Sequence, residues 1–445
     1  FNGKKIRQKA KFGSNNSIYS GTYYSKGQQN VKLSLSANIN HSDGISSGNK
    51  NGANTEKDAY NEGSFTFKST LKNDENINKV TFVFRDSSSK YEYDNWDQTD
   101  NHDFSKTNIK SGLVTFEFQT GNQTKHIINY NPTRLNRKTA GSYVSDQSSK
   151  QQKVEYKIQK KINTNDFFGF GIEYNNTKYK ASNVREKRES DAQYTYGQIK
   201  PTKNSLVDVS LRTDHDQIYG SHDSHRVQLG YDLFNNLKLK TSFGTGYRPP
   251  SLYESNNLAS GINKLEPEIT TNKELGFDYN DYKLGLLVSS SIFESEIDNE
   301  IEYSGGGYRQ GSGFTEISGY EVSVNKYNFI ENIDLYVSYT KTDSDKSNGT
   351  KGALVPMHKF GSLFDYKLSD NVNNQFEYIY QERAYDTSSN ELPSFSLVNY
   401  NFNYKINNNF KSNFKISNIL DQDYEVNRNY NTPGISFFGG IESEF

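Results

Sequence analysis

The 445 residues carry 52 Lys and Arg against 53 Asp and Glu, a net charge of -1, and no Cys. Near-neutral charge with scattered basic residues gives no electrostatic ground for a nucleic-acid partner. The lack of Cys excludes a disulfide framework, a thiol nucleophile and a Cys-ligated zinc. A soluble chain of this length would divide into domains, yet its 8 Pro mark no linker and the pattern is uniform, so one domain over 1–445 is expected.

A hydrophobic share of 32% and a mean hydropathy of -0.91 would suit a poorly buried chain, but 33 Tyr and 28 Phe do not. A membrane β-barrel reconciles the two. Only alternate strand residues face lipid, the lumen and loops are polar, and aromatic girdles mark both interfaces. No run reaches the roughly 18 apolar residues of a membrane helix, so a crossing would be made by strands.

Along the chain, Val31, Leu33, Leu35, Ala37 and Ile39 alternate with Lys32, Ser34, Ser36, Asn38 and Asn40, the period of a half-buried strand. The same alternation returns at Val114/Phe116/Phe118, Val207/Val209/Leu211, Leu237/Leu239/Phe243, Leu335/Val337/Tyr339 and Val398/Tyr400/Phe402/Tyr404. Tight turns are expected at Lys26-Gly27, Asn73-Asp74 and Asn407-Asn408, and long polar loops at 41–61, 88–107, 132–150 and 178–190. In the final segment Ile435, Phe437, Ile441 and Phe445 share one face, and the chain stops on Phe445.

Counting such segments predicts an all-β fold, a single transmembrane antiparallel barrel of about 22 strands with long extracellular loops and short periplasmic turns. Val31, Leu33, Leu35, Val114, Phe116, Ile435 and Phe437 should face outward. Asp208, Ser210, Arg212, Asn399, Asn401, Asn403 and Lys405 should face the lumen.

Acid concentrates in the first long loops: Asp43, Glu56, Asp58, Glu92, Asp94, Asp97, Asp100 and Asp103, among Tyr91, Tyr93 and Trp96. Carboxylates converging from neighbouring loops suit calcium, which takes roughly 6–8 oxygen ligands; a solvated acidic loop is the alternative. Tyr91, Trp96 and Tyr385 are candidates to stack a planar ligand, against ordinary girdle or loop packing. His41, His102, His222 and His225 show no metal-ligand spacing. With no nucleophile elbow or phosphate-binding loop, an enzyme is not expected.

Four stretches resemble the TonB-dependent outer-membrane receptors, in the order of that family. They are Gly244-Thr245-Gly246-Tyr247-Arg248-Pro249-Pro250-Ser251-Leu252-Tyr253-Glu254; Leu265-Glu266-Pro267-Glu268 with Asn272, Lys273 and Glu274; Ile317-Ser318-Gly319-Tyr320-Glu321; and Ser417-Asn418-Ile419-Leu420-Asp421-Gln422-Asp423-Tyr424. The terminal Phe445 is similar to the carboxy-terminal signature of outer-membrane proteins. Within the family the resemblance is strongest to the cobalamin transporters, through the first hundred or so residues, where Gly13-Ser14-Asn15-Asn16-Ser17 stands at their first turn.

That resemblance implies a bacterial outer-membrane receptor surrounded by lipid and lipopolysaccharide. It also implies a calcium site at Asp43, Glu56, Asp58, Tyr93, Asp94 and Asp103, with Glu56 where the family has Asp. Pro356 and Met357 stand where the cobalamin members carry paired arginines. Phe1 falls at the family's junction between plug and barrel, so the lumen-filling plug domain, which engages TonB, is expected to be removed or to be a separate chain. The expected function is ligand-specific uptake of cobalamin or another corrinoid. The alternatives are a siderophore or metal-chelate receptor of the same family, or a passive pore or structural barrel.

Overall fold

The computed structural model describes residues 3–48, 56–73, 78–94, 102–121, 123–142, 144–182 and 184–445. Twenty-two strands follow one another in the sheet in chain order, each antiparallel to its neighbour. The last, Ser436–Glu444, pairs with the first, Gly3–Gly13, and closes the barrel. Closure removes the unpaired edge that an open sheet would expose. At the seam Ile6 and Phe445 exchange backbone hydrogen bonds of 2.7 and 2.8 Å, and Gly13 lies against the Phe438 ring where a side chain would collide. Among the described residues only Leu252–Asn256 is α-helical, and no helix is long and apolar enough to cross a membrane.

The alternation resolves into two faces. Phe82, Val114, Tyr130, Val154 and Tyr174 stand directly opposite one another across five strands and form one outward row. Such aromatic and β-branched cross-strand pairs stabilise a sheet by roughly 0.2–1 kcal/mol each. The seven residues expected to face outward are 37–45% exposed, as lipid-facing side chains are in an isolated chain.

Inside, polar side chains satisfy one another. Glu155 accepts from Tyr194 Oη through Oε1 at 2.6 Å and from Asn129 Nδ2 through Oε2 at 2.9 Å, while Arg212 makes a forked contact with Asp214 (2.9 and 2.7 Å) and reaches Glu173 at 3.6 Å. Asn399 donates to Glu377 at 2.9 Å. These pairings matter because an unpaired buried polar group costs about 1–3 kcal/mol.

Connections at one barrel end are short, from Gln29-Asn30 to residues 73–78. At the other end lie 43–59, 249–267, 299–313, 347–357, 382–394 and 418–435, which marks that end as extracellular. The turn expected at Lys26-Gly27 is strand, since pairing runs on to Gln28 and the chain reverses at Gln29, whose φ is 49°. Asp74 lies outside the described residues.

The loops expected at 132–150 and 178–190 are instead strands, 124–140, 145–161, 167–181 and 184–199, joined by residues 141–144 and 182–183. Their antiparallel ladders continue to the extracellular end. Both faces there carry mostly polar side chains, so the apolar half of the alternation vanishes while the hydrogen bonding continues. The region 88–107 likewise narrows to a connection at 94–102.

The motif stretches fall on the extracellular rim. Ser251 caps the short helix, accepting from Glu254 N at 3.1 Å, and Glu254 Oε2 accepts from Ser251 N at 2.6 Å. Arg248 ties that helix to the next strand through Glu254 and Glu268. Asn418, at φ 52°, bonds both Gln422 N and Gln422 O at 2.9 Å, and Asp421 accepts from Ile435 N at 2.7 Å. In the strand Phe314–Ile330, Gly319 presses on the neighbouring strand, where a Cβ would lie 2.1 Å from the Lys341 carbonyl oxygen.

Candidate functional site

Two consecutive extracellular connections, 43–59 and 94–102, bring Glu56, Asp58 and Asp94 together with one oxygen from each inside 4.8 Å. The backbone sets this up. Gly44, at φ 71°, makes the sharp bend that lets Asp58 N donate to Ile45 O at 3.1 Å. Ser47 N donates to Asp58 Oδ2 at 2.6 Å, and Gly48 N to Asp94 Oδ2 at 2.5 Å. Asp94 is buried, and His102 Nδ1 stands 3.1 Å from Glu56 Oε2.

A third connection braces the first. Asn431 N donates to Ser47 O at 2.9 Å, its Nδ2 donates to Ser46 O at 2.9 Å and Gly48 O at 3.2 Å, and Gly48 pairs with Tyr430. Three acidic groups at this spacing repel one another, and the arrangement suits a hard cation with oxygen ligands. The oxygens present are of the right kind for calcium.

The other expected ligands sit on the flanks. Asp43 turns to the first hairpin, accepting from Asn16 Nδ2 at 2.6 Å with His41 Nε2 at 3.2 Å. The Asn16 amide, foremost, holds the Asp43 carboxyl below the usual range. Asp103 is buried against the 141–144 connection and accepts from Ser142 N at 2.7 Å. Tyr93 stands opposite Asp103 across the strands, its ring 5.8 Å from that of Tyr91.

Of the candidate stacking aromatics, Tyr91 is on the strand Lys79–Tyr93 and Tyr385 is in a two-residue ladder with Glu391 within the connection 382–394. Trp96 lies outside the described residues. His222 stacks on Tyr247 at 4.5 Å whereas His225 lies by Phe243 at 5.5 Å. An odd spacing on one strand sends the two to opposite faces.

The sequence reading missed the bracing by Ser47, Gly48 and Asn431, which leaves no pattern because the partners are 383 to 385 residues apart. It also missed a second rim assembly. Tyr179, Tyr253, Tyr308 and Tyr303 form a chain of ring contacts of 6.3, 5.8 and 5.3 Å. Arg188 donates to Pro250 O and lies 3.4 Å from buried Asp216. Together these fix the connection 249–267 against its neighbours.

The family described as "TonB dependent receptor-like, beta-barrel" matches residues 7–419. The chain belongs to this family. It is an outer-membrane β-barrel of the TonB-dependent receptors. It is 26% identical over 249 residues to the Vitamin B12 transporter BtuB of Vibrio cholerae, a match covering 54% of this chain and 40% of that protein. It is 22% identical over 334 residues to the probable TonB-dependent siderophore receptor PirA of Acinetobacter baumannii, covering 60% and 44%.

The chain therefore spans less than half the length of these curated relatives. In fold, it superposes on the PirA crystal structure with a TM-score of 0.82 at 16% identity, covering all of this chain and 81% of that one. With the FrpB iron transporter of Neisseria meningitidis in its apoprotein form the TM-score is 0.84 at 13% identity, covering 99% and 81%. The TonB-dependent receptor barrel has the 22 strands expected from the sequence.

Proposed function

We propose that this barrel is the outer-membrane wall of an energy-coupled importer whose extracellular loops capture a scarce solute too large for general porins, with a corrinoid as the cargo. The observation that carries the reading is the gathering of Glu56, Asp58 and Asp94 from two consecutive loops, in a chain that matches a vitamin B12 transporter over 54% of its length. Calcium held by these carboxylates would supply the positive charge that lets them converge. Ser47 and Gly48 N–H groups orient Asp58 and Asp94, and the Asn431 brace passes that order to the connection 418–435. Tyr91, Trp96 and Tyr385 are the side chains assigned to the ligand's planar face. Gating belongs to a plug domain in the lumen that engages TonB, supplied in cis or in trans.

A siderophore or other metal chelate is the second reading, favoured by the longer match to a siderophore receptor and by Pro356 and Met357 at the position of the cobalamin members' arginines. Equilibrium binding of cyanocobalamin and of ferric catecholate and hydroxamate chelates to the purified protein, with and without millimolar calcium, separates the two. Saturable corrinoid binding that calcium strengthens supports the first. Chelate binding with no corrinoid binding replaces it with the second, and binding of neither leaves a passive or structural barrel.

A further inference from the structure

The lumen wall beside the seam is cationic. Phe12, Tyr404, Phe414 and Ile441 are exposed on the lipid side of four neighbouring strands, Gly3–Gly13, Phe395–Lys405, Phe410–Ser417 and Ser436–Glu444. Alternation therefore sends Lys5, Arg7, Lys9, Lys11, Lys405, Lys411 and Lys415 inward with Glu442 and Glu444. Seven cations face two carboxylates, and these strands carry no other acid.

Both carboxylates are taken. Glu444 holds Lys5 and Arg7 at 2.5 and 2.8 Å, and Glu442 stands 3.3 Å from Arg7 and 3.5 Å from Lys9. Lys11, Lys405, Lys411 and Lys415 make no ion pair among the described residues. By contrast, further round the lumen Lys125 meets Glu117 at 2.7 Å and Lys240 meets Asp278 at 2.9 Å.

Register gathers the unanswered lysines. Lys405 lies directly opposite Lys411, Lys411 opposite Glu442 and Glu442 opposite Lys9, so one row crosses four strands. Asn403, Asn413, Gly440 and Lys11 form the next row, and Asn401 faces Lys415 in the one above. Like charges placed directly opposite destabilise a sheet, and nothing on these strands offsets Lys405 against Lys411. A cavity of about 620 Å³ opens there between Lys9, Lys405, Lys411, Asn403 and Asn413. Its acids are Glu442 and Asp370, and its Lys367 is already engaged with Asp334 at 2.8 Å.

The spacing identifies the ligand. The first row spans about 14 Å across the strands, and Lys411 to Lys415 is about 13 Å along one, too wide for a single compact anion. An extended polypeptide repeats its alternate side chains every 6.7 Å or so, about the same period as the rows. Carboxylates at every second residue would thus meet successive rows, with the Asn403 and Asn413 amides between them for the backbone. Single ammonium groups in place of guanidinium forks, and no aromatic ring in the two lower rows, offer a nucleic acid little.

We propose that the seam-side lumen wall is a docking surface for an extended acidic polypeptide segment. The inference rests on the barrel and not on the cargo, so failure of the corrinoid and chelate titrations leaves it standing. The whole chain, refolded in non-ionic detergent micelles, is titrated against fluorescent peptides of about eight residues, which extend to roughly 26 Å. They alternate Ser with Glu, with Gln or with Lys, and a thymidine oligonucleotide of similar length is the fourth probe.

The Glu peptide should bind saturably, at least about tenfold more tightly than the other three probes, and weaken with salt. The triple variant Lys11→Gln, Lys411→Gln, Lys415→Gln should lose at least about tenfold in affinity, and Lys411→Gln alone a smaller part. Both should keep heat-modifiable migration, since each removes the repulsion between Lys405 and Lys411. Lys150→Gln, Lys178→Gln, Lys180→Gln, at exposed positions on the outer face, should change nothing. No saturable binding of the Glu peptide, equal binding of the Gln peptide or the oligonucleotide, full affinity in the luminal variant, or an equal loss in the outer-face variant would overturn the proposal.

Discussion

Gly44 lies so close to Asp58 that a Cβ at Gly44 would stand 1.9 Å from the Asp58 carbonyl oxygen. With φ at 71°, the position demands glycine twice, for conformation and for space. Gly44→Ala should therefore swing the connection 43–59 away from Asp94 and separate the acidic cluster. The left-handed backbone alone costs about 1–2 kcal/mol. Limited proteolysis should cut this connection faster in the variant while the barrel midpoint hardly moves; unchanged proteolysis would show that the bend is not what positions Asp58.

If the cluster holds calcium, the ion should raise thermal stability by mass action, by about 2.7 kcal/mol at a hundredfold excess over its dissociation constant. Asp58→Ala together with Asp94→Ala should remove that response. Asp43→Ala should leave most of it, because Asp43 is engaged with Asn16 and His41. The check is the unfolding midpoint with calcium and with a chelator, and a response that depends on Asp43 more than on Asp94 would relocate the site.

Asn418 is buried at φ 52° and holds the start of the connection 418–435 through its bonds to Gln422. Asn418→Ala loses these bonds and also forces alanine into the left-handed region, a combined cost of about 2–4 kcal/mol. Asn418→Gly keeps the backbone free and isolates the side-chain part. Hydrogen exchange of Gln422 and Ile435 amides should rise in both, more in the alanine variant. Equal exchange in the two would assign the whole effect to the side chain.

Asp386 gathers the backbone N–H of Ser388 and Asn390 at 2.8 Å and the Asn390 amide at 2.9 Å. Burial pushes its carboxyl up, but these bonds outweigh it and hold the group below the ordinary range. A depressed folded value means that the turn's stabilisation is complete above the unfolded value of about 3.9 and is lost as pH falls through the lower folded one. Protection of the amides at residues 386–390, taken relative to the intrinsic exchange rate at each pH, should therefore fall in acid, and Asp386→Asn should abolish that dependence.

The barrel was legible because a strand with one lipid face and one wet face writes its period into the sequence. Val31, Leu33 and Leu35, or Ile435 and Phe437, read directly. Where both faces are wet the period disappears, so the hairpins around 141–144 and 182–183 looked like loops although their ladders are intact. Acid in the first loops was visible as composition. Which acids meet was not, because Glu56, Asp58 and Asp94 are brought together by backbone donors from Ser47 and Gly48 and braced from Asn431.

The lumen gives the last prediction. Twenty-two strands enclose an interior wider than side chains fill, and its wall carries charged pairs such as Arg212 with Asp214 and Glu117 with Lys125 at 2.7 Å. Such pairs tolerate water or a polar protein surface against them but not an apolar filling. The 445 residues reconstituted alone in a planar bilayer should conduct small ions without preference for a corrinoid or a chelate, because a wide lumen walled by polar and charged side chains fills with water. Adding a plug domain taken from a TonB-dependent receptor should lower the conductance. Arg212→Ala should leave conductance high but shift ion preference toward cations, since it removes positive charge from the wall while Glu173 and Asp214 remain. Small currents that respond to ligand from this chain by itself would mean that the extracellular connections already close the lumen.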